Sequence, residues 1–244
     1  MKYFTQIYAV GDIHGCNKLL KNIQKTILNK SKKVNGKKLL IYLGDYIDRG
    51  LEIKDTIQTL IDFKPKDFKQ IHLLGNHEQM MLDFINGETD SLNLWLINGG
   101  DITLNSYGIK FNTLFGVNIK NYKTIRDELI INISKTHLQF LNNLSLFYQY
   151  NDFFFVHAGI DPDIPLTKQD KNKMIWIRDI IYPDDFKKTI VHGHTPQFKI
   201  INLPKQINID TGAYYSGNLT CLLIETKSGK RQFFNTKKYN TTLI

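Results

Sequence analysis

Asp12 and His14 stand two residues apart behind an apolar run, so at an extended strand end both side chains can point to one side. A carboxylate beside an imidazole is half of a site for zinc, manganese or iron. Asp45 and Asp48 flank a turn, Asn76 and His77 follow Gly75, His157 follows four apolar residues, and His192 and His194 bracket Gly193. Taken singly, each group has an ordinary reading. An Asp after Gly suits a turn, and a His behind Phe and Val suits a satisfied core position. Taken together they point elsewhere, because every strong apolar run ends in a Gly-flanked cluster of Asp, Asn or His. Packing alone favours apolar residues there, since a buried polar group costs free energy unless it is paired or coordinated. The chemistry these residue types share is metal ligation.

The elements that must position them follow one pattern. Tyr3 to Val10 reads as a strand before the first cluster, and the next helix carries Leu19, Leu20, Ile23 and Ile27 on one face. Leu39 to Leu43 is a buried strand before the second cluster, followed by a helix with Ile53, Ile57, Leu60 and Ile61 at core spacing. Ile71 to Leu74 is a third strand before Gly75, where a short helix starts. Strand and helix alternating at a repeat of roughly thirty residues predicts parallel βαβ units. Such sheets gather their ligands at the carboxyl ends of the strands.

From about Glu88 to Leu146 (88–146) the pattern is mostly helical, with breaks at Gly99-Gly100 and Tyr107-Gly108 and an N-cap at Ser134 for Lys135 to Leu144. This stretch reads as an insertion beside the sheet. Strands return at Phe153 to Val156 and Thr189 to Val191. Ile207 to Ile209, Leu219 to Ile224 and Arg231 to Phe234 follow, read as an antiparallel meander closing a second sheet. With no internal repeat or long linker, the expectation is one domain over 1–244. Lys237 to Ile244 form a polar, unpatterned tail.

Composition narrows the class. A hydrophobic fraction of 42% suits a globular core. Two cysteines, Cys16 and Cys221, make no disulfide framework and no Cys-x-x-Cys pair, which suits a reducing compartment. There is no signal-peptide pattern and no apolar stretch long enough for a bilayer, so the expectation is a cytoplasmic chain without a membrane partner. The net charge of +9 invites a nucleic-acid reading. The lysines are spread, however, and their one concentration (Lys30, Lys32, Lys33, Lys37, Lys38) falls between a helix and a strand, where a solvated loop carries it. No dedicated nucleic-acid surface is expected.

Five segments carry a resemblance. Gly11-Asp12-Ile13-His14-Gly15, Gly44-Asp45-Tyr46-Ile47-Asp48-Arg49-Gly50, Gly75-Asn76-His77-Glu78, His157-Ala158-Gly159 and Gly193-His194-Thr195-Pro196 resemble the ordered signature of calcineurin-like metallophosphoesterases. Within that family the sequence is most similar to the bacterial and phage serine/threonine phosphoprotein phosphatases. Trp95-Leu96-Ile97-Asn98-Gly99-Gly100 and Ile209-Asp210-Thr211-Gly212-Ala213 also resemble bacterial members. The implied fold is α/β, with two packed mixed sheets flanked by helices as an α/β/β/α sandwich. The implied cofactors are two divalent ions, manganese first, with iron or zinc as alternatives. Asp12, His14 and Asp45 would hold one ion; Asp45, Asn76, His157 and His194 would hold the other. A water between the ions would attack phosphorus in line, without a covalent enzyme intermediate.

The resemblance also implies that Arg49 and Arg178 grip the phosphoryl oxygens, as a planar guanidinium can. His77 would protonate the departing alkoxide, oriented by Asp48, with Glu78 supporting the turn. An ion pair with Asp179 is the ordinary alternative for Arg178, and His192 is the alternative to His194. Tyr214 and Tyr215 are candidates for the border of the phosphate pocket, while His72 and His137 read as packing residues.

Four functions fit such a centre. A phosphomonoesterase acting on phosphoserine and phosphothreonine leads, on phosphorylated protein or small phosphoesters. A diadenosine polyphosphate hydrolase of the symmetrical type, or a broad-specificity phosphoesterase, is the alternative. Asp48 favours the first, because dinucleotide hydrolases usually resemble Gly-Asp-x-x-Ala-Arg-Gly. Pro196 argues against nucleases, which carry a second histidine there, and the intact ligand set argues against a noncatalytic module. Leu73-Leu74 before Gly75 and His157-Ala158-Gly159 differ from the eukaryotic protein phosphatases, and no regulatory subunit is expected.

Overall fold

The computed structural model describes residues 3–88, 90–110 and 119–236; the polar tail expected from residue 237 lies outside them. In chain order the elements are β1 (Phe4–Val10), α1 (Asn17–Ser31), β2 (Lys37–Tyr42), α2 (Ile53–Asp62), β3 (Phe68–His72), α3 (Asn76–Asn86) and α4 (Ser91–Trp95). A π-helical turn (Leu96–Gly100) leads into α5 (Asp101–Ser106), α6 (Ile119–Asn132) and α7 (Lys135–Asn142). Then come β4 (Phe147–Tyr150), β5 (Phe153–Val156), α8 (Lys171–Trp176), β6 (Thr189–His192), β7 (Ile201–Asn202) and β8 (Gln206–Asn208). The last are α9 (Ala213–Ser216), β9 (Thr220–Glu225) and β10 (Arg231–Asn235). Among these residues no helix is long and apolar enough to cross a membrane.

Two five-stranded mixed sheets form, in the orders β10-β9-β1-β2-β3 and β4-β5-β6-β8-β7. The period-two alternation of strand side chains divides the core. Ile7 and Ala9 of β1 join Leu39, Ile41, Phe155, Val191, Ile207 and Leu222 in the layer between the sheets. Tyr8 and Val10, one residue out of phase, pack instead with Leu20, Ile23 and Ile57 of the covering helices. Phe154, Val156 and Ile190 point to the far side of the second sheet, against Met174 of α8 and Tyr182. These layers are the expected α/β/β/α arrangement.

Two strand expectations are corrected. The third strand runs over Phe68–His72 rather than Ile71 to Leu74, because its register pairs Phe68 to His72 with Lys38 to Tyr42. Leu73 has left that ladder and bridges Ser145. The last three strands do not form one meander. β8 lies parallel to β6 in the second sheet, whereas β9 and β10 make an antiparallel hairpin on the free side of β1. The cause is the inter-sheet layer: Ile207 and Ile209 fill it from one side, Leu222 and Ile224 from the other. Among the described residues the helical reading of the middle segment matches α4 to α7, with Gly99 left-handed in the π turn; 89 and 111–118 of that segment lie outside them. Ser134 caps α7, its Oγ accepting from the His137 N–H at 3.2 Å.

Candidate metal centre

Each parallel strand ends where a cluster begins, so β1 delivers Asp12 and His14, β2 delivers Asp45, Asp48 and Arg49, and β3 leads into Asn76 and His77 on the first turn of α3. The second sheet brings His157 from β5 and His194 from β6 to the same rim. The backbone there is unusual. His14, Asp45, Asp48, Arg49 and His194 all have φ between 45° and 67°. Non-glycine residues rarely take this left-handed conformation, and where they do the strain is commonly held at functional sites.

Two groups of ligand-type atoms lie within 4.8 Å of one another: His14, Asp45 and His77, and Asp45, His157 and His194. Asp45 belongs to both. Its Oδ2 lies 3.5 Å from His14 Nε2 and 3.8 Å from His77 Nε2, and its Oδ1 lies 3.4 Å from His157 Nε2. Asn76 Oδ1 sits 3.0 Å from both His157 Nε2 and His194 Nδ1. The ring orientations are fixed from behind. His14 Nδ1 donates to the Ile47 carbonyl and His157 Nδ1 to the Leu43 carbonyl, each at 2.8 Å, which leaves both Nε2 atoms facing the centre. Asp12 is in neither group but borders them, accepting the His194 N–H on Oδ2 at 3.0 Å.

The charges call for a cation. Asp12 and Asp45 are both buried, with Asp210 beside them. Burial, with Asp210 and Asp45 adding to it, holds the Asp12 carboxyl well above its usual range. Burial alone would raise Asp45 as well, but His157, His77, His14 and His194 outweigh it and hold it low. Among the described residues, Asp12 Oδ1 and His194 Nε2 are buried without a hydrogen-bond partner. Carboxylate, carboxamide and imidazole donors around unsatisfied buried atoms fit divalent ions such as manganese, zinc or iron. The residues present therefore fit a metal pair.

The remaining candidates take distinct places. His77 Nδ1 lies 2.6 Å from Asp48 Oδ2, leaving Nε2 toward Asp45. Burial pulls the His77 pKa down, but Asp45 and Asp48 prevail and the net shift is upward. Arg49 Nη1 is 3.0 Å from His14 Nε2, and its guanidinium lies 5.1 Å from the Tyr214 ring centroid. Arg178 is exposed in the loop after α8 and lines a cleft of about 330 Å³ with Thr195. Among the described residues it makes no ion pair with Asp179 or any other carboxylate. His192 lies outside both groups: its Nδ1 donates to the Gly193 carbonyl at 3.1 Å and its Nε2 accepts from Gln206 at 3.0 Å. His72 stacks on Tyr42, and His137 bonds Tyr107, as packing residues. Neither cysteine is poised for attack, since burial pushes Cys16 up to about 11 and holds Cys221 well above the usual thiol range.

Glu78 is the clamp of the rim. Its Oε2 accepts from Asp45 N at 3.0 Å and Gly75 N at 3.1 Å, and its Oε1 from Tyr46 N at 2.7 Å and Ile47 N at 3.2 Å. The clamp needs glycine at 75, where a Cβ would fall 2.1 Å from Asp45 Oδ1. Glu78→Gln turns an N–H toward two of those donors, and its expected cost is about 1–3 kcal/mol of stability. Thermal melts of the two proteins check this; an unchanged midpoint would remove the clamp role.

Three residues escaped the sequence reading of roles. Asp210 is buried, and burial with the Asp45 charge pushes its carboxyl up to about 6. Its signal was the same Gly-flanked carboxylate after an apolar run that marked the other clusters. Trp95 and Thr103 both bond Asp48. Trp95 had only its place in a matching segment as a signal, and Thr103 had none.

Comparison with known proteins agrees with this geometry. The family model for calcineurin-like phosphoesterases matches residues 5–227. Serine/threonine-protein phosphatase 2 of Salmonella typhimurium is 32% identical over 232 residues, covering 91% of this chain and 94% of that protein. An asymmetrical bis(5'-nucleosyl)-tetraphosphatase, PrpE, of Anoxybacillus flavithermus is 26% identical over 236 residues, covering 87% and 88%. The crystal structure of a putative diadenosine tetraphosphatase superposes with a TM-score of 0.65 at 17% identity, covering 98% of this chain and 97% of that one, a likeness of fold. The chain belongs to the calcineurin-like phosphoesterase family and is a metal-dependent hydrolase of phosphoesters.

Proposed function

We propose that the protein is a phosphomonoesterase acting on phosphoserine and phosphothreonine, in phosphorylated proteins or small phosphoesters. The observation that carries this is the His77–Asp48 pair, 2.6 Å apart, at the edge of the ligand cluster. Serine and threonine leave phosphorus as basic alkoxides and need a proton in the transition state. A nucleotide leaving from a dinucleotide polyphosphate departs as a weakly basic phosphate and needs far less help. A buried acid held by its own carboxylate is therefore suited to the harder leaving group.

Asp12, His14 and Asp45 would hold one divalent ion, and Asp45, Asn76, His157 and His194 the second, with manganese the first choice for this mixed oxygen and nitrogen set. When bound, the ions supply positive charge that makes water nucleophilic near neutral pH and offsets charge on the phosphoryl group. Arg49 and Arg178 bind phosphoryl oxygens through paired N–H groups and set the phosphorus in line. Asp48 accepts the Nδ1 proton of His77, so the proton delivered to the leaving oxygen comes from Nε2. The helices α4 to α7, which come between β3 and β4 in chain order, support reading 88–146 as a mostly helical insertion within one domain.

Dinucleotide polyphosphate hydrolysis is the second reading. It is favoured by Tyr214, 41% exposed beside Arg49, and by Tyr215, 53% exposed with its ring 4.9 Å from that of Tyr214, which offer flat faces to a base. The two readings part in one assay. Metal-stripped protein is refilled with manganese, zinc or iron and given a phosphoserine peptide, an aryl phosphate and diadenosine tetraphosphate. The phosphopeptide and the aryl phosphate are expected to turn over faster. Faster cleavage of the dinucleotide than of either would sink the first reading.

A further inference from the structure

The carboxylate that holds His77 is itself held, and the holders come from the helical segment rather than from the sheets. Asp48 is fully buried. Trp95, at the end of α4, donates its indole N–H to both oxygens of Asp48, at 3.1 Å to Oδ1 and 2.9 Å to Oδ2. Thr103, in α5, donates its hydroxyl to Asp48 Oδ1 at 2.5 Å and accepts the Asp48 backbone N–H at 3.1 Å. Trp95 and Thr103 are both inaccessible to solvent. The π turn between the two helices sets their spacing, and its Gly99, at φ 98°, lies against Arg49, where a Cβ would fall 3.1 Å from Cγ.

We infer that Trp95 and Thr103 are positioning residues for the proton donor: together they fix the plane of the Asp48 carboxylate so that Oδ2 alone faces His77. Without them, His77 is the one donor left on the Asp48 carboxylate among the described residues, the carboxylate can rotate about its last bond, and His77 then loses the single orientation that turns Nε2 toward the leaving oxygen. Neither residue touches substrate, so the effect belongs to kcat and to leaving groups that need a proton. The inference rests on His77 acting as the acid.

The test uses the metal-loaded enzyme, Trp95→Phe, Thr103→Val and Thr103→Ser, on a series of aryl phosphates from acidic to basic phenols and on a phosphoserine peptide. Trp95→Phe removes the N–H and keeps an aromatic ring toward Phe84, whose ring lies 5.6 Å away, but it also gives up indole volume in a fully buried place, so the Thr103 pair is the control for packing. Trp95→Phe and Thr103→Val are expected to lower kcat on the order of 10- to 100-fold for the peptide and the most basic phenol. The same variants should stay within about two-fold on the most acidic phenol, with KM unchanged, because little proton transfer is needed there. Thr103→Ser should restore the wild-type slope. Equal losses across the series, a rise in KM alone, or Thr103→Ser as impaired as Thr103→Val would overturn the inference. Should Trp95→Phe fail to fold, the Thr103 pair decides. His77→Asn is the reference: if it lacks leaving-group dependence, the acid assignment falls and takes this inference with it. If it has that dependence and the Trp95 and Thr103 variants lack it, this inference alone is wrong.

Discussion

His77→Asn is expected to keep its fold and both metal ions while losing turnover by about 10²- to 10⁴-fold, the range a positioned acid contributes. Asparagine presents an N–H toward Asp48 but carries no proton it can give. The loss should therefore be largest on a phosphoserine peptide and smallest on an activated aryl phosphate. The geometry makes the experiment decisive, because His77 also lies in a possible ligand group with His14 and Asp45. A ligand and an acid differ in one readout, metal content by elemental analysis. The 2.6 Å contact of Nδ1 with Asp48 favours a ring that carries protons. If the variant emerges with one ion missing, His77 is a ligand and the proton must come from elsewhere.

Asp45→Asn should have the other large effect. Asp45 is shared by both groups, and each of its oxygens faces a different side, Oδ1 toward His157 and Oδ2 toward His14. Asparagine preserves the shape, removes the charge and puts an amide N–H where one group needs an acceptor. The variant is expected to fail to hold the metal pair, and its activity should fall by more than the about 10- to 100-fold that outer-shell partners are worth. The readout independent of activity is the melting temperature with and without added manganese. At metal 100 times the dissociation constant the wild type gains about 2.7 kcal/mol for each site filled. A variant that melts later on manganese addition, as the wild type does, would show that Asp45 does not bridge.

How much of this was legible beforehand follows from physics local to the chain. A parallel strand is an apolar run that stops abruptly, and at Val10, Val156 and Val191 the stop and the chemistry sit within a few residues of each other. Those strands, and the clusters behind them, could be read directly. The bounds of β3 are not legible in the same way, because Ile71 to Leu74 is the more apolar stretch whereas ladder pairing with β2 uses Phe68 to His72. The place of β9 and β10 in the first sheet is not legible in the sequence, because β9 is buried on both faces and carries no mark of its neighbour. Only the three-dimensional layer of Ile207 and Leu222 makes that assignment. Trp95 and Thr103 were opaque for a related reason: at helical spacing an indole and a hydroxyl look like core and surface, and their partner lies 47 and 55 residues away.

The way β1 is paired has a consequence for how the molecule is made. β1 sits between β2 and β9, so it meets one neighbour within the first 42 residues and the other only at Thr220–Glu225. During synthesis, Asp12, His14, Asp45 and Asn76 can be gathered on a parallel three-stranded sheet whose β1 edge is still bare. His157 and His194 arrive later, on a second sheet, and Asp12 finds the His194 N–H across 182 residues of chain. Contacts so distant in sequence close slowly, and an unpaired edge is open to foreign strands while it waits. The first half of the centre is thus assembled early on an unprotected scaffold, and the β9–β10 hairpin that seals this scaffold is made only after both halves of the centre. Chaperone demand should be set by that interval rather than by the stability of the finished fold.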